Sequence, residues 1–267
     1  MKHVKVQLKD HVTGQAIITA GGVCGVHVAG SGDKVALLDS TGASASNPST
    51  LTRGLIEFYV ANTVTSVDLH IMTPGGQFLS VFAMDPGASP NEVSVDTGRR
   101  DQVAYIPFSH ADSTAATEQD TGFDLPTDCM VSPDGLGLYI NTVDATETID
   151  VGILSTEANG DANGFIAVGS VATAGAVQAE VGFTVGTNSV VIDLTGGDAE
   201  FTYGALMCAA ASIDAKAEGT DVDTEANGIA LLKRYRCDGT AVSISYTTTA
   251  GSDTCDGFIV VPYRLMA

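Results

Sequence analysis

Apolar and polar residues alternate in two dense segments of the N-terminal half, at residues 55–60 and 67–72. In 67–72, valine, leucine and isoleucine take the odd positions, and aspartate, histidine and methionine take the even ones. A period of two is typical of a β-strand with one buried face. Turn-forming sequences flank the pair, with Asn-Pro at 47–48 and Pro-Gly-Gly at 74–76. The stretch 35–82 therefore predicts a rigid β-sheet core and not a catalytic pocket.

Short apolar segments continue at intervals of about ten residues, which is the signature of a sandwich or barrel. After the central pair they fall at 78–82, 93–96 and 103–106. In the second half they fall at 136–140, 149–153, 165–168, 181–185, 190–194, 201–203, 229–235, 242–246 and 258–261. Residues 205–217 fit either a short helix or an alanine-rich buried strand. We predict an all-β fold of two β-sandwich modules, jelly-roll-like or Ig-like, with short strands and glycine-rich turns.

A polar stretch at residues 109–122 lacks any apolar rhythm. Such a segment predicts a linker or a long crossover between the two modules. We therefore expect an N-terminal module over residues 1–110 and a C-terminal module over residues 111–267.

Composition supports a folded chain with an acidic surface. Of the 267 residues 44% are hydrophobic and 16% charged, which is enough apolar material for a core. Twelve Lys and Arg against 32 Asp and Glu give a formal net charge of −20, which repels phosphate backbones and disfavours nucleic-acid binding. We interpret the negative charge as a surface that keeps the protein soluble and is adapted to salt. The alternative is a surface whose carboxylates are bridged by cations such as calcium. No apolar run reaches the ~18 residues of a membrane span, and residues 1–7 do not resemble a signal peptide.

Five cysteines are spread along the chain without any C-x-x-C pair: Cys24, Cys129, Cys208, Cys237 and Cys255. Their odd number and wide spacing argue against a secreted disulfide scaffold. We predict free, mostly buried thiols of a protein made in a reducing cytoplasm. Cys237 and Cys255 lie near the last strands and can approach one another, but we expect them to remain free thiols.

The sequence predicts no catalytic residue and no cofactor-binding residue. Ser109, His110 and Asp112 have the residue types of a hydrolase triad, but neighbours in one segment cannot fold back on each other as a relay. No nucleophile elbow surrounds Ser109, so an exposed polar loop is predicted. The glycines of 30–34 lack the rest of a dinucleotide fingerprint and predict a hairpin turn. The five histidines are scattered and have no H-x-x-x-H spacing, so zinc is not expected.

Calcium is the one metal for which the sequence offers candidate ligands. Asp221, Asp223 and Glu225 place three carboxylates on alternate residues, and residues 159–163 offer Asn and Asp oxygens among glycines. Calcium takes six to eight hard oxygens, and neither segment matches the EF-hand loop. We predict solvated turns and no cofactor, with calcium binding at these loops left as the alternative.

Several of these segments resemble virion structural proteins of tailed bacteriophages. Val-Ala-Leu-Leu-Asp-Ser-Thr-Gly at 35–42, with Asn-Pro at 47–48, precedes Arg-Gly-Leu-Ile-Glu-Phe-Tyr-Val at 53–60. In those proteins a "strand, Asp, Gly, Asn-Pro" unit precedes a "Gly, apolar, Phe-Tyr" strand. Residues 67–78 are similar too, as are 148–152 with 160–165 and Ala-Gly at 174–175. The resemblance covers residues 35–82 and 135–177 and brings no active site with it.

The resemblance implies a non-enzymatic component of the virion, made in the cytoplasm of the bacterial host. It implies a capsid decoration protein on the head exterior, assembled as a homotrimer or another multimer, with the major capsid protein as its partner. Neither nucleic acid nor a membrane is implied. Apolar side chains that the core does not use are the expected contacts with other subunits: Phe82, Met84, Tyr105, Tyr263, Leu265 and Met266. A tail-associated receptor- or carbohydrate-binding module is the first alternative, and a glycan-active enzyme with paired carboxylates is the second.

Overall fold

The computed structural model describes residues 1–18, 21–87, 91–95, 100–112, 116–178, 182–186, 189–193, 202–210, 230–232, 234–249 and 254–266. The prediction of an all-β fold is confirmed: these residues form 24 strands and no α-helix, with a 3₁₀ turn at His110–Asp112. No helix within these ranges has the length and apolar character needed to cross a bilayer.

Nine strands build the first module as two facing sheets. They are β1 Lys2–Asp10, β2 Val23–Val28, β3 Leu37–Leu38, β4 Ser44–Ala45, β5 Ser49–Thr50, β6 Leu55–Val60, β7 Val67–Met72, β8 Phe78–Met84 and β9 Asn91–Val95. Sheet A has the order β4-β3-β6-β1-β9, and sheet B has the order β5-β2-β7-β8. Neighbours run antiparallel, except that β1 and β9 run parallel.

The core of this module follows from the alternation along its strands. Val4 lies opposite Phe58, and Val6 lies opposite Ile56, with all four side chains buried. Val67, Leu69 and Ile71 of β7 belong to the same buried cluster. Each fully buried side chain of this size contributes roughly 1.5–3 kcal/mol through removal of apolar surface from water.

The second module contains the remaining strands. They are β10 Asp101–Ser109, β11 Gln119–Leu125, β12 Cys129–Val131, β13 Gly137–Thr142, β14 Thr148–Ile153, β15 Asp161–Ser170, β16 Gly175–Gln178, β17 Gly182–Gly186, β18 Ser189–Asp193, β19 Thr202–Tyr203, β20 Cys208–Ala210, β21 Ala230–Leu232, β22 Tyr235–Cys237, β23 Val242–Thr248 and β24 Asp256–Leu265. Sheet C has the order β16-β13-β24-β12-β22 with β10 also on β24, and sheet D has the order β11-β23-β14-β15-β19. Two further antiparallel pairs are β17-β18 and β20-β21. Cys208–Ala210 thus supports the strand alternative for 205–217, of which 211–217 lie outside the described residues.

Strand β10 joins the second module, although it precedes the predicted boundary. It pairs antiparallel with β24 over nine residue pairs, from Asp101 opposite Arg264 to Ser109 opposite Asp256. Strand pairing therefore changes from one module to the other between Val95 and Asp101, and not at residue 110. Whether 1–110 and 111–267 fold independently stays a prediction.

Residues 109–122 are not the polar linker that the sequence predicts. Gln119–Leu125 forms β11, an edge strand of sheet D. Its polar side chains find partners within the sheet: Thr121 Oγ1 donates to the Ile244 carbonyl at 2.7 Å, and Asp120 Oδ1 accepts from the Gly122 amide at 2.7 Å. Thr121, Phe123 and Leu125 alternate into the core, and the satisfied hydroxyl lets a polar residue take the first of these positions.

Strand β7 is buried on both faces, whereas the sequence predicts one buried face. The second face packs against the C-terminal module, where Met72 joins the other core cluster and the His70 ring lies 5.5 Å from that of Phe258. Asp68 is tolerated there because its carboxylate accepts from the amides of Gly30 at 2.8 Å and Ala83 at 2.7 Å.

The two modules interlock through both polar and apolar contacts. Ser109 Oγ donates to Asp33 Oδ1 at 2.6 Å, and the rings of Phe78 and Phe123 lie 5.6 Å apart. The backbone also approaches closely, because a Cβ at Gly122 would lie 2.3 Å from Pro48 Cγ of the first module. Close packing of this kind holds the modules as one rigid unit.

We predict that Gly122→Ala destabilises the protein by about 1–3 kcal/mol more than Gly30→Ala. Both glycines have positive φ angles, of 73° and 76°, so the conformational cost of alanine is matched. Only Gly122 faces Pro48, whereas nothing lies within 4 Å of a Cβ at Gly30. Urea denaturation of the two variants measures the difference. Equal losses would contradict a tight contact between the modules at this point.

Candidate functional site: an exposed apolar face and a buried polar cluster

Sheet C carries apolar side chains on the side that faces away from sheet D. Residues that lie opposite each other in a ladder share one face, so Val103 neighbours Pro262 and Tyr105 neighbours Val260. Tyr105 is 44% exposed, whereas Ala104, which lies between Val103 and Tyr105 in the sequence, points into the core and is fully buried. Strand β10 thus contributes alternate residues to the core and to an open apolar surface.

The surface continues across β24 and onto the first module. Tyr139 lies opposite Phe258 and is 47% exposed. Phe82 of β8 is 59% exposed, and its ring centroid lies 6.5 Å from that of Phe258. We call this surface the apolar face: Phe82, Val103, Tyr105, Tyr139, Val260 and Pro262. It spans both modules, so its shape depends on their fixed arrangement.

Arginines border one end of the apolar face. On the same side of sheet C, Met130 lies opposite Arg264 on β24 and opposite Arg236 on β22. Arg234 and Asp101 help to line a shallow cavity of about 270 Å³ at this end. Arg236 pairs with Asp238 at 2.6 Å, and Arg264 lies 3.6 Å from Asp101, so this end of the face has a charged border of exposed ion pairs. Tyrosine, methionine and arginine are the side chains enriched at protein–protein interfaces.

The leftover apolar residues predicted from sequence divide into exposed and buried sets. Those exposed to solvent are Phe82, Tyr105 and Met266. The prediction is wrong for Met84, which is buried opposite Val67, and for Tyr263, whose hydroxyl donates to the Gly76 carbonyl. Leu265 is partly buried against the C-terminal core.

The hydrolase-like residues point to different partners, and they do not form a relay. Ser109 Oγ reaches Asp33, and Asp112 Oδ2 lies 3.9 Å from Lys34 Nζ. The prediction of an exposed loop is wrong for Ser109 and His110, which are each only 3% exposed. Their burial results from the pairing of β10 with β24. The turn predicted at 30–34 is confirmed, with the Val28 amide donating to the Asp33 carbonyl at 2.9 Å.

His110 instead belongs to a buried polar cluster with Glu147 and Cys255. One ligand atom from each of the three side chains lies within 4.8 Å of the other two. The His110 amide donates to the Cys255 carbonyl at 2.9 Å, and His110 Nδ1 contacts Thr248 Oγ1 at 2.9 Å. Glu147 Oε2 accepts from Thr249 Oγ1 at 2.8 Å, whereas Glu147 Oε1 has no hydrogen-bond partner. The spacing of these three residues in the sequence does not predict the cluster, because strands that are distant in sequence bring them together.

The cluster is unsuited to nucleophilic catalysis. Burial, reinforced by the nearby carboxylates of Glu147, Asp144 and Asp256, raises the pKa of the Cys255 thiol to about 12. A thiol with such a pKa stays protonated at neutral pH and is a poor nucleophile. Cys255 is also only 1% exposed, so a substrate cannot reach it.

The prediction of free, buried thiols is confirmed for Cys24, Cys129, Cys237 and Cys255. The neighbour of Cys237 is Cys129, directly opposite it between β12 and β22, and not Cys255. Contact with Cys237 and burial together raise the pKa of the Cys129 thiol. The side chain of Cys208 lies outside the described part of the chain.

The calcium candidates Asp221, Asp223 and Glu225 also lie outside the described residues, so calcium binding there stays untested. Asn159 occupies a turn with a φ of 64°. The sequence predicts a turn that extends through 164, but Asp161–Ser170 forms β15, with Asp161 opposite Ile153. Residues 161–164 therefore belong to a strand and not to the predicted turn.

Two histidines lie between the modules in an apolar setting. His27 Nδ1 contacts the Gly32 carbonyl at 2.8 Å, and the rings of His27 and His70 lie 5.4 Å apart. Burial, which is the main cause, lowers the pKa of His27 to about 4. Burial and the neighbouring His27 lower the pKa of His70 to about 3. Both rings are therefore neutral in the folded protein at neutral pH.

Comparison of the chain with family models, with curated proteins and with solved structures finds no match.

We predict that the free energy of unfolding falls as the pH is lowered from about 6.5 towards 4. In this window the unfolded chain binds protons at His27 and His70, whereas the folded protein does not, so stability is lost on acidification. The double variant His27→Gln/His70→Gln should reduce this pH-dependent loss by on the order of 2–4 kcal/mol. Denaturant unfolding at several pH values measures the slope, with the exposed-site variant His11→Gln as control. An unchanged slope in the double variant would contradict the assignment.

Proposed function

We propose that this protein is a structural component of a tailed-bacteriophage particle, a capsid decoration protein on the head exterior. It acts as a non-enzymatic cement that bridges neighbouring major capsid subunits as a homotrimer or another multimer. The observation that carries the proposal is the apolar face on a rigid body built from two modules. The sequence resemblance of residues 35–82 and 135–177 to phage structural proteins supplies the class of particle.

The apolar face has the chemistry of a contact surface. Tyr105 and Tyr139 combine a large apolar area with a hydroxyl that hydrogen-bonds at a rim, and tyrosine and arginine dominate the residues on which interfaces depend. Covering the face removes apolar surface from water at about 25 cal/mol per Å². The exposed ion pairs of Arg236 with Asp238 and of Arg264 with Asp101 give the apolar face a charged border at one end.

Rigidity makes such a contact useful for reinforcement. The apolar face includes Phe82 from the first module and Tyr105 and Tyr139 from the second, and the interlocked modules hold them in one geometry. A surface that is preorganised in this way loses little conformational entropy on binding. Symmetric repetition of the contact around a multimer then strengthens the joints between subunits.

The charge distribution favours the exterior of the particle. A chain with a formal charge of −20 is repelled by packaged DNA, whereas the outer surface faces solvent and counterions. Acidic residues also keep a decoration protein soluble before it binds the shell.

A tail-associated carbohydrate-binding module is the second candidate, favoured by the exposed rings of Phe82, Tyr105 and Tyr139. Aromatic faces also bind sugars, but these rings project from strands of sheets B and C and not from loops around a cleft. A continuous sheet face suits a protein partner of large area better than a small glycan.

The position of the protein in purified particles tests the proposal against the tail alternative. We expect antibody-gold labelling in electron micrographs to decorate the head shell. Labelling confined to the tail tip would overturn the decoration function, and its absence from particles would overturn a virion role altogether.

We predict that Tyr105→Asp weakens binding to isolated capsid shells at least tenfold, which corresponds to a loss of about 1.4 kcal/mol or more. A charge at this position must be desolvated when the apolar face is covered. Val168→Asp is the matched control, because Val168 is 64% exposed but belongs to sheet D. Co-sedimentation with shells that lack the protein measures the affinity. Equal binding by both variants would place the contact elsewhere.

A further inference from the structure

The buried polar cluster lies where the two sheets of the C-terminal sandwich meet at one end. His110 follows β10 and Cys255 precedes β24, so both lie at one end of sheet C, where the His110 amide donates to the Cys255 carbonyl. Glu147 precedes β14 of sheet D, and Thr248 ends the neighbouring strand β23. The three side chains therefore lie beside the ends of three strands, two of sheet C and one of sheet D.

Their geometry fits a small metal ion. Zinc binds Cys sulfur at about 2.3 Å, His nitrogen at about 2.0–2.1 Å and carboxylate oxygen at about 2.0–2.2 Å. Those bond lengths set tetrahedral ligand atoms roughly 3.3–3.8 Å apart. The candidate atoms of His110, Glu147 and Cys255 all lie within 4.8 Å of one another. Small side-chain rotations are enough to close the difference.

An unsatisfied carboxylate oxygen points to a cation at this position. The Glu147 side chain is 0% exposed, and its Oε1 atom has no hydrogen-bond partner. His110 Nδ1 is 3.8 Å from Oε1, which is too far for a hydrogen bond. A buried carboxylate oxygen without a partner is costly, and a metal ion removes that cost.

The charges around the cluster favour a cation as well. Three carboxylates, from Glu147, Asp144 and Asp256, act electrostatically on Cys255, and Asp144 also lies within electrostatic reach of His110. Asp256 Oδ1 is a further buried oxygen with no hydrogen-bond partner. Buried charges in proteins are paired or coordinate a metal ion.

We propose that His110, Glu147 and Cys255 bind one zinc ion that staples sheet C to sheet D at this end of the sandwich. A water molecule completes the tetrahedral set. On binding, the Cys255 thiol loses its proton to solvent and the thiolate sulfur donates an electron pair to the ion, with no change of oxidation state. The second shell is already present, because Thr249 Oγ1 donates to Glu147 Oε2.

The donor set distinguishes zinc from calcium. Calcium takes hard oxygen ligands in numbers of six to eight, whereas this cluster offers one sulfur, one imidazole nitrogen and a carboxylate. Because the three side chains are buried, the ion enters as the strands close over it and does not exchange through an open channel.

Metal uptake during refolding tests the proposal. The full chain is unfolded with denaturant, reductant and chelator, and is then refolded with zinc chloride before free metal is removed by desalting. We expect one zinc per chain by elemental analysis, and a higher melting temperature than after metal-free refolding. Refolding with cobalt(II) should give a thiolate-to-cobalt charge-transfer band, which reports sulfur ligation directly.

Substitutions locate the ion. We expect Glu147→Gln and Cys255→Ser to lower zinc retention at least tenfold, and Cys255→Ser to abolish the cobalt band. The double variant Cys129→Ser/Cys237→Ser removes the other buried thiol pair and should keep both the metal and the band. If Cys255→Ser does not fold, the wild-type cobalt spectrum together with Glu147→Gln still decides the question.

The result that overturns the proposal is a wild-type chain that refolds fully without taking up zinc or cobalt. Loss of the metal only in the Cys129/Cys237 variant, or uptake of calcium in place of zinc, overturns it equally. A capsid location does not depend on this outcome, so the two proposals stand or fall separately.

Discussion

The pairing of β10 with β24 is the contact on which the rest of this structure depends. It joins nine residue pairs across most of the chain's length and inserts β24 between β10 on one side and β13 and β12 on the other. The same ladder turns Ala104, Ile106 and Phe108 into the core and leaves Val103 and Tyr105 outside. At its end it brings His110 opposite Cys255. The register of this one ladder therefore helps to determine both the apolar face and the buried polar cluster.

A shift of that register by one residue would exchange the two faces of the strand. Tyr105 would then enter the core and Ile106 would face solvent, so the hydrophobic pattern itself maintains the register. Contacts that the first module makes with β10 and β24 also fix this register. Ser109 bonds to Asp33 only if β10 ends where it does, and the aromatic contact between His70 and Phe258 requires the same alignment.

Local alternation was enough to predict the strands and the all-β class, as at 67–72 and 136–140. It predicted that Leu69 is buried, but it did not predict that His70 is buried too, because the covering layer comes from the other module. The polar residues at 119–122 predict a linker, but they form part of a strand. Thr121 can be buried there because its hydroxyl donates a hydrogen bond inside the sheet. Phe82 and Tyr105 were identified as exposed apolar residues, whereas Tyr139 was not. The cluster of His110, Glu147 and Cys255 was missed entirely, since long-range register decides it and a single sequence does not reveal register between distant strands.

The long separation of β10 and β24 also has a consequence for how the chain folds. During synthesis β10 leaves the ribosome long before its partner, so its hydrogen-bonding groups have no ladder until β24 follows. The strands of sheets A and B pair among themselves and do not have to wait. We therefore expect sheets A and B to pair first, and the sandwich of sheets C and D to close later around the final strand. Until then β10 has no partner on β24, and its unpaired N–H and C=O groups can template pairing with another chain, which leads to aggregation.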